Sequence, residues 1–376
     1  MLRLFYALML GSLGALIPLL GGRFEKEGIA GGTIGLLLAM LPLGRLVSMP
    51  LWAWWADRYQ AAGLVLRVSC AGTAAAAIVL ARATDVVWIG VAMFAYAALR
   101  APVGAITDSV VVERLRAAGR PLGEYGKVRL FGSIGFLVGT VLATLPLRLP
   151  PHLWSDLGAV LTVLVAFQFP TRGGAGPAPV LPALIALLRQ RWLAPLLLAG
   201  CLQAFTLSVY DTFLSVHVAA LGLPEWVVGA AVAVGVGCET VLMAFARPLL
   251  GRVGPAGGLF IAAAMNVPRW LIVAWTVDPV VLVATQVLHG VAFGAFWVSG
   301  VERMARGAPV HVAASAQALW GVASYGVGAL FGQALAGQAR SWGGTGGIFE
   351  LLAAVSVLAT AAAAWLWWVA RRDGAG

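Results

Sequence analysis

Residues 85–112 read DVVWIGVAMFAYAALRAPVGAITDSVVV. The run is longer than the about 20 apolar residues that a helix needs to cross a bilayer, yet it carries Arg100 and Asp108 in its second half. A charged side chain inside a membrane span is costly, so its presence there indicates a functional position. The stretch therefore predicts a membrane helix that contributes to a polar site.

The composition of the whole chain agrees with this prediction. Of 376 residues, 61% are hydrophobic and 11% are charged, whereas a soluble domain carries about 25% charged residues. This excludes a soluble enzyme, a disordered chain and a secreted disulfide scaffold. Cys70, Cys201 and Cys238 show no spacing typical of a disulfide framework or a metal site. Because no catalytic triad, phosphate loop or metal cluster is visible in the sequence, we expect neither enzyme activity nor a cofactor.

Twelve apolar runs are separated by charged, Gly-rich or Pro-rich breaks. The pattern predicts an all-α membrane protein with twelve transmembrane helices. At about 20 residues each, twelve spans take up about 240 residues and leave no room for a separate soluble domain. The runs lie at about 3–20, 33–55, 63–82, 85–112, 123–146, 152–170, 192–220, 225–246, 257–276, 278–303, 311–339 and 344–370.

The basic residues set the orientation of this pattern. With both termini in the cytoplasm, many more Lys and Arg residues fall in cytoplasmic segments than in outside loops, as the positive-inside rule requires. The same distribution accounts for the net charge of +10 without any nucleic-acid partner. We therefore expect a multi-pass protein with both termini in the cytoplasm.

The longest break divides the chain into two halves. Residues 171–191 open with TRGGAGPAP, which is typical of a flexible linker, and continue as a short amphipathic stretch. This predicts an N-terminal six-helix bundle, 1–170, and a C-terminal six-helix bundle, 192–376. The fifth and eleventh runs both carry closely spaced glycines, which favour close helix packing. Two matched six-helix halves are the architecture of the major facilitator superfamily.

Short motifs then carry a more specific resemblance, which covers nearly the whole chain. The stretch GEYGKVRLFGSIGF at 123–136, preceded by ITDS at 106–109, resembles the fourth-to-fifth-span region of the proton-coupled phenylpropionate permease and lactose permease branch of that superfamily. The second half follows the order of the same branch, with LLRQRW at 187–192, YD at 210–211, CET at 238–240, VPRW at 267–270 and TQVLHG at 285–290.

In the first half, the resemblance implies a solute site. Asp108 and Arg129 correspond to the acid and the arginine that hold the sugar in lactose permease, and Phe136 stands where that permease has a ring-stacking Trp. A carboxylate and a guanidinium can bind hydroxyls or a substrate carboxylate. A structural ion pair between the fourth and fifth spans is the alternative interpretation, and Arg100 is a competing partner for Asp108.

The first half also contains a stretch that resembles the gating motif of the superfamily. The stretch AWWADR at 53–58 is similar to the gating motif between spans two and three, although Ala53 replaces the leading Gly and the following basic pair is missing. The resemblance implies gating roles for Asp57 and Arg58.

In the second half, the resemblance implies a proton site. Glu239 corresponds to the eighth-span acid that couples substrate and proton, and Arg269 and His289 correspond to residues near that site. Asp211 lacks the Lys partner of its lactose permease counterpart, so it is protonated, paired with Arg269 or part of the site. Trp297 either stacks on a substrate ring or packs between helices. The structural alternative is a helix-packing hydrogen bond for Glu239 and an interior histidine with satisfied hydrogen bonds for His289.

These observations lead to one expected function and two rivals. We expect a proton-coupled symporter of a bacterial inner membrane. It would import a small polar organic solute, a sugar or an aromatic or mono-carboxylic acid, by alternating access. Its partners would be the solute, protons and membrane lipid, and it would work as a monomer. A proton-coupled antiporter that exports a drug or metabolite is the first rival. A non-transporting membrane receptor or scaffold is the second, and the many buried charges weigh against it, because a scaffold has no use for them.

Overall fold

The computed structural model is helical throughout the part of the chain that it describes, and that part contains no strand. It describes residues 1–17, 20, 23–24, 27–29, 31–144, 152–168, 180–224 and 226–372. The α-helices are α1 (Leu2–Gly14), α2 (Gly31–Arg58), α3 (Ala62–Arg82), α4 (Val86–Ala117), α5 (Gly126–Thr144), α6 (His152–Ala166), α7 (Val180–Leu188), α8 (Leu193–Ala220), α9 (Trp226–Ala244), α10 (Ala246–Leu250), α11 (Gly254–Trp275), α12 (Pro279–Ala284), α13 (Gln286–Gly307), α14 (Ala313–Gly321) and α15 (Ala329–Arg372).

The apolar character of these helices matches a membrane protein. By length and composition, nine helical segments within the described ranges can cross a bilayer. Two further apolar helices, Leu2–Gly14 and Ser155–Ala166, are shorter. The predicted span at 311–339 is divided, because the π-helix Val322–Gly328 separates α14 from α15. The helical membrane fold is thus confirmed, while the count of twelve spans stays a prediction.

Contacts divide the chain into two compact units. Most of each unit comes from one predicted half, but two short segments group with the other half, one after α4 and one after α13. The first part of the predicted linker, 171–179, lies outside the described residues, and α7 forms part of the amphipathic stretch that follows. The first unit comprises Met1–Ala117, Val128–Leu184 and Ala308–Val322, and the second comprises Ala118–Lys127, Ile185–Gly307 and Ala323–Gly376.

The first unit is built around α4. Helices α2, α3 and α14 pack against α4, while α1 and α3 pack against α6. An apolar core that includes Leu20, Leu37, Leu80, Met93 and Tyr96 lies among these helices.

In the second unit, α15 and α11 form the centre. Helix α8 packs on α15, α11 packs on both α13 and α15, and α9 packs on α13. The core includes Val209, Trp270, Phe349 and Leu352. Within α15, Gly344 leaves helical geometry with φ +63°, a conformation that glycine adopts without steric cost.

Helices α1 and α5 approach each other through glycine. Gly135 faces the carbonyl oxygen of Ala7, and Gly139 faces that of Gly11, so closely that an added Cβ would collide with either. Thr140 Oγ1 donates to a carbonyl oxygen of α1 at 2.9 Å. Lipid supplies no hydrophobic drive between helices, so close backbone packing through small residues takes that role. The glycines of the fifth predicted span therefore serve helix contact.

The second unit repeats this packing between α8 and the segment formed by the end of the π-helix and the start of α15. A Cβ at Gly328 would collide with the carbonyl oxygen of Cys201, and one at Gly332 would come within 2.7 Å of that of Phe205. The glycines of the two matched predicted spans thus have the same structural task.

The α1–α5 contact predicts a selective loss of stability. Gly139→Ala forces a Cβ against the backbone of α1, and overpacking of this kind typically costs about 1–3 kcal/mol. We expect a lower melting temperature in detergent. Gly104→Ala on α4 is the matched control, because an added Cβ there meets nothing within 4 Å and Ala is the better helix former. Equal melting temperatures for the two variants would contradict the contact.

Candidate functional site

The first unit holds a buried cluster of three polar side chains on three helices. Tyr6 lies on α1, Asp108 on α4 and Arg129 on α5, and each is at least nine-tenths buried. The Tyr6 hydroxyl donates to Asp108 Oδ1, and the guanidinium carbon of Arg129 lies 5.8 Å from the centre of the Tyr6 ring. We call Tyr6, Asp108 and Arg129 the first charged cluster. The structure thus brings both predicted solute-binding charges against a tyrosine that the sequence analysis missed.

Arg100 binds the backbone of α1 and not Asp108, for which the sequence made it a competing partner. Its Nη2 donates to the backbone carbonyl of Met9 in α1 at 2.8 Å, and its guanidinium carbon lies 6.0 Å from the centre of the Tyr96 ring. Among the ion pairs of the described residues, none joins Arg100 to Asp108. Arg100 therefore ties α1 to α4 and does not compete for Asp108.

Phe136 lies on α5 with its side chain partly exposed. Its carbonyl oxygen accepts a hydrogen bond from Thr140 Oγ1 at 2.9 Å and lies directly against Gly14 of α1. The backbone of Phe136 thus belongs to the α1–α5 contact. The predicted stacking of its ring on a solute stays a prediction.

Asp57 caps the start of α14, which belongs to the same unit. The backbone N–H of Ser315 donates to Asp57 Oδ2 at 2.6 Å, and that of Ala314 donates to Oδ1 at 3.3 Å. These are N–H groups of a first helical turn, which have no partner within their own helix, and the helix dipole favours a negative charge there. Arg58 lies 5.9 Å from the ring centre of Tyr59. The Asp57 carboxylate therefore links α2 to the first turn of α14.

The second unit holds a larger cluster around Arg269. This side chain is fully buried in α11. Its Nη2 donates to Gln286 Oε1 at 2.8 Å and its Nη1 to Asn266 Oδ1 at 3.3 Å. The guanidinium carbon lies 4.2 Å from the ring centre of Tyr210 and 3.9 Å from that of Trp270. Amide oxygens and two aromatic faces thus stabilise the buried cation.

Asp211 and Arg269, the predicted charge pair, attract each other electrostatically but are not in direct contact. Asp211 follows Tyr210 on α8 and has an exposed side chain, whereas Arg269 is inaccessible. Within the described residues, no ion pair within 4 Å joins them. The physical reason is that Gln286, Asn266 and the two rings already surround the guanidinium, so Asp211 remains accessible.

Glu239 and His289 lie on neighbouring helices that approach closely. Glu239 is buried in α9 and His289 in α13. A Cβ at Gly290 of α13 would come within 2.5 Å of the backbone nitrogen of Glu239, and one at Gly235 would come within 2.9 Å of the His289 ring. Gly235 and Glu239 are four residues apart and therefore share a face of α9. The imidazole thus lies against α9 about one helical turn before the backbone position of Glu239.

The His289 ring is held by aromatic neighbours. Its centre lies 5.3 Å from that of Tyr210 and 5.8 Å from that of Phe293, with which it is nearly parallel at 24°. In the described part of the chain, His289 Nδ1 has no hydrogen-bond partner. This nitrogen of the imidazole can therefore form a hydrogen bond with a further ligand. We call Tyr210, Asp211, Glu239, Arg269, Gln286 and His289 the second charged cluster.

Trp297 contacts other aromatic side chains of the second unit. Its Nε1 donates to the Tyr125 hydroxyl at 3.0 Å, and its ring meets that of Tyr325 edge-on with centres 5.4 Å apart. Helix packing therefore accounts for these contacts. Substrate stacking by Trp297 stays a prediction.

Comparison with known proteins shows the family of the chain. Residues 1–351 match the family model described as the MFS_1 like family. The chain belongs to this family. The predicted membership in the major facilitator superfamily is confirmed, and the protein is a multi-pass membrane transporter of small solutes and not an enzyme.

Two curated relatives cover most of the chain. The maltose permease of Geobacillus stearothermophilus is 26% identical over 345 residues, which are 87% of this chain and 84% of the permease. The probable 3-phenylpropionic acid transporter of Escherichia coli strain K12 is 27% identical over 292 residues, which are 74% of each chain.

Solved structures show the same fold. The human organic anion transporter MFSD10 aligns with a TM-score of 0.78 at 18% identity, covering 96% of this chain and 97% of that one. A variant of the nucleoside transporter NupG aligns with a TM-score of 0.73 at 19% identity, covering 97% and 98%. At these sequence identities, the structural similarity is evidence for the fold alone.

The contacts of Arg269 predict unequal effects in the second charged cluster. Arg269→Gln removes two side-chain hydrogen bonds and two ring contacts, so we expect a large fall in melting temperature in detergent. Asp211→Asn changes an accessible group without an ion pair, so we expect a small fall. The double variant should come close to the sum of the two falls, because the two charges attract each other without direct contact, and coupling of about 0.5–3 kcal/mol is typical only of residues in contact. Recovery of stability in the double variant would contradict this geometry.

Proposed function

We propose that the protein is a proton-coupled symporter that imports a small polar organic solute, either a sugar or an aromatic or mono-carboxylic acid, by alternating access. The observation that carries the proposal is the second charged cluster. There, the buried Glu239 and the buried His289 lie on two closely packed helices. His289 Nδ1 has no hydrogen-bond partner among the described residues, and the fixed guanidinium of Arg269 belongs to the same cluster. Ionisable side chains inside a membrane protein typically mark ion or proton paths.

The first charged cluster supplies the proposed solute site. Arg129 offers a planar set of donors and Asp108 offers acceptors, which together suit a solute with hydroxyl or carboxylate groups. The two curated relatives are named for a sugar and for an aromatic acid, which are the two classes proposed. Phe136 and Trp297 are proposed ring contacts, and Glu239 is proposed to bind solute as well as proton.

The proton is proposed to reside on Glu239. A carboxylic acid can carry a proton through the membrane region without a net charge, which an arginine cannot do because it stays protonated. Arg269, fixed by Gln286 and Asn266, provides a stationary positive charge. His289 provides a polar ring nitrogen on α13, the helix that packs closely against α9. Asp211 is accessible and is the second proposed proton carrier.

Asp57 and Arg58 are proposed to act in gating. The Asp57 carboxylate holds α14 through two backbone N–H groups, a contact that can form or break without unfolding either helix. The distribution of Lys and Arg supports cytoplasmic termini, and the similarity to bacterial relatives supports placement in a bacterial inner membrane. The protein is proposed to act as a monomer, with the solute, protons and lipid as its partners.

A binding experiment separates the proposal from its rival. The purified protein in detergent is titrated with maltose, 3-phenylpropionate and uridine at mildly acidic and mildly alkaline pH, with the melting temperature as readout. A symporter binds proton and solute together, so acid should strengthen solute binding. Weaker binding in acid would support an antiporter that exports a drug or metabolite, and binding unaffected by pH would contradict proton coupling.

Glu239 gives the sharpest variant. Glu239→Gln keeps the size and polarity of the side chain but cannot release a proton, so we expect loss of uphill accumulation in proteoliposomes while solute exchange continues. Glu302→Gln is the control, because Glu302 pairs with Arg306 on its own helix at 2.6 Å and lies outside both charged clusters. Uphill uptake at the wild-type level in Glu239→Gln would remove Glu239 from the proton path.

A further inference from the structure

Tyr6 has no role in the function proposed so far, yet it contacts both charges of the first cluster. It is 1% exposed, and its hydroxyl donates to Asp108 Oδ1. A hydrogen bond to a charged group is stronger than one between neutral groups. Because the bond joins residues 102 positions apart in sequence, it fixes the Asp108 carboxylate of α4 relative to α1.

The ring of Tyr6 faces the other charge. The guanidinium carbon of Arg129 lies 5.8 Å from the ring centre, within the distance at which a cation is attracted to an aromatic face. One side chain therefore meets the acid with its hydroxyl and the base with its ring. A phenylalanine at this position would keep the second contact and lose the first.

The surroundings of Tyr6 hold it in place. The next residue, Ala7, packs its backbone against Gly135 of α5 without space for a Cβ. Three residues after Tyr6, the carbonyl oxygen of Met9 accepts hydrogen bonds from Arg100 at 2.8 Å and from Ser12 at 2.9 Å. The backbone that carries Tyr6 is thus tied to α4 and to α5, the two helices that carry Asp108 and Arg129.

We propose that Tyr6 is a positioning residue for solute binding. Its hydroxyl sets the orientation of the Asp108 carboxylate, and its ring supports the Arg129 guanidinium, so that both groups are held in the geometry that the solute meets. Rigid placement of binding groups raises affinity because less conformational freedom is lost on binding. The proposal rests on the proposed solute-binding role of Asp108 and Arg129.

A purely structural role for Tyr6 makes a different prediction. If its hydroxyl only tied α1 to α4, its removal would lower the melting temperature and leave the KM for solute unchanged. If it positions Asp108, removal raises KM while the maximal rate of transport changes little. The split between KM and maximal rate therefore decides between the two roles.

The kinetic test compares Tyr6→Phe with the wild type in proteoliposomes. Uptake of radiolabelled maltose, 3-phenylpropionate and uridine is measured, and KM is determined for the solute that the wild type takes up. We expect Tyr6→Phe to raise KM about tenfold, the size typical of a lost hydrogen bond to a charged group, with a change in maximal rate of less than about threefold. An unchanged KM overturns the proposal.

Tyr96→Phe is the matched control. Tyr96 is also a buried tyrosine of the first unit, 3% exposed, and its ring also lies near an arginine, Arg100. It belongs to neither charged cluster, so loss of its hydroxyl should leave KM at the wild-type value. An equal rise in KM in both variants would show a general effect of removing a buried hydroxyl and would also overturn the proposal.

A spectroscopic test works without any transported solute. The protein is labelled with carboxyl-13C aspartate, and the infrared carboxyl band of Asp108 is identified by its loss in Asp108→Asn. We expect Tyr6→Phe to shift this band and Tyr96→Phe to leave it in place. If none of the three solutes is transported, the proposed function is in question, while the band still decides whether Tyr6 controls Asp108. A band unmoved by Tyr6→Phe rejects the positioning role.

Discussion

A charged side chain inside a membrane protein must find its partners within the protein, because hydrocarbon offers none. Arg269 shows how strictly this constraint acts. It is fully buried, and two amide oxygens and two aromatic rings surround its guanidinium. Arg100 meets the same constraint with a backbone carbonyl of α1, and Asp57 meets it with the backbone N–H groups of α14. At these three positions, contact between helices therefore solvates a charged side chain.

Close helix packing is the second condition for these arrangements. A tyrosine of α1 reaches an aspartate of α4 where the backbones of α1 and α5 touch through Gly135 and Gly139. In the second unit, Gly235 and Gly290 bring α9 and α13 together around Glu239 and His289. The polar contacts therefore depend on the glycines, because these small residues set the helix separation at which the polar side chains can reach each other.

The sequence predicted the helices well, because an apolar run of the required length has few alternatives in a membrane. It also singled out Asp108 and Arg129, since a charge in an apolar run is conspicuous, and the structure places both against Tyr6, while their role in solute binding stays a prediction. Tyr6 was missed because a tyrosine in such a run has no distinguishing signal, and its hydroxyl bond depends on how three helices pack. The direct Asp211–Arg269 pair was wrong for a related reason. Opposite charge indicates that two residues can pair. Only the packed structure shows that Gln286 and Asn266 already accept hydrogen bonds from the Arg269 guanidinium.

Proton movement during solute entry tests the central claim most directly. Proteoliposomes containing a pH-sensitive dye in the lumen are exposed to an inward gradient of solute alone, with the membrane potential clamped. If the protein is a symporter, solute entry carries protons inward and the lumen becomes acidic. An alkaline lumen would show exchange of solute against protons, and solute entry without any change in luminal pH would contradict proton coupling.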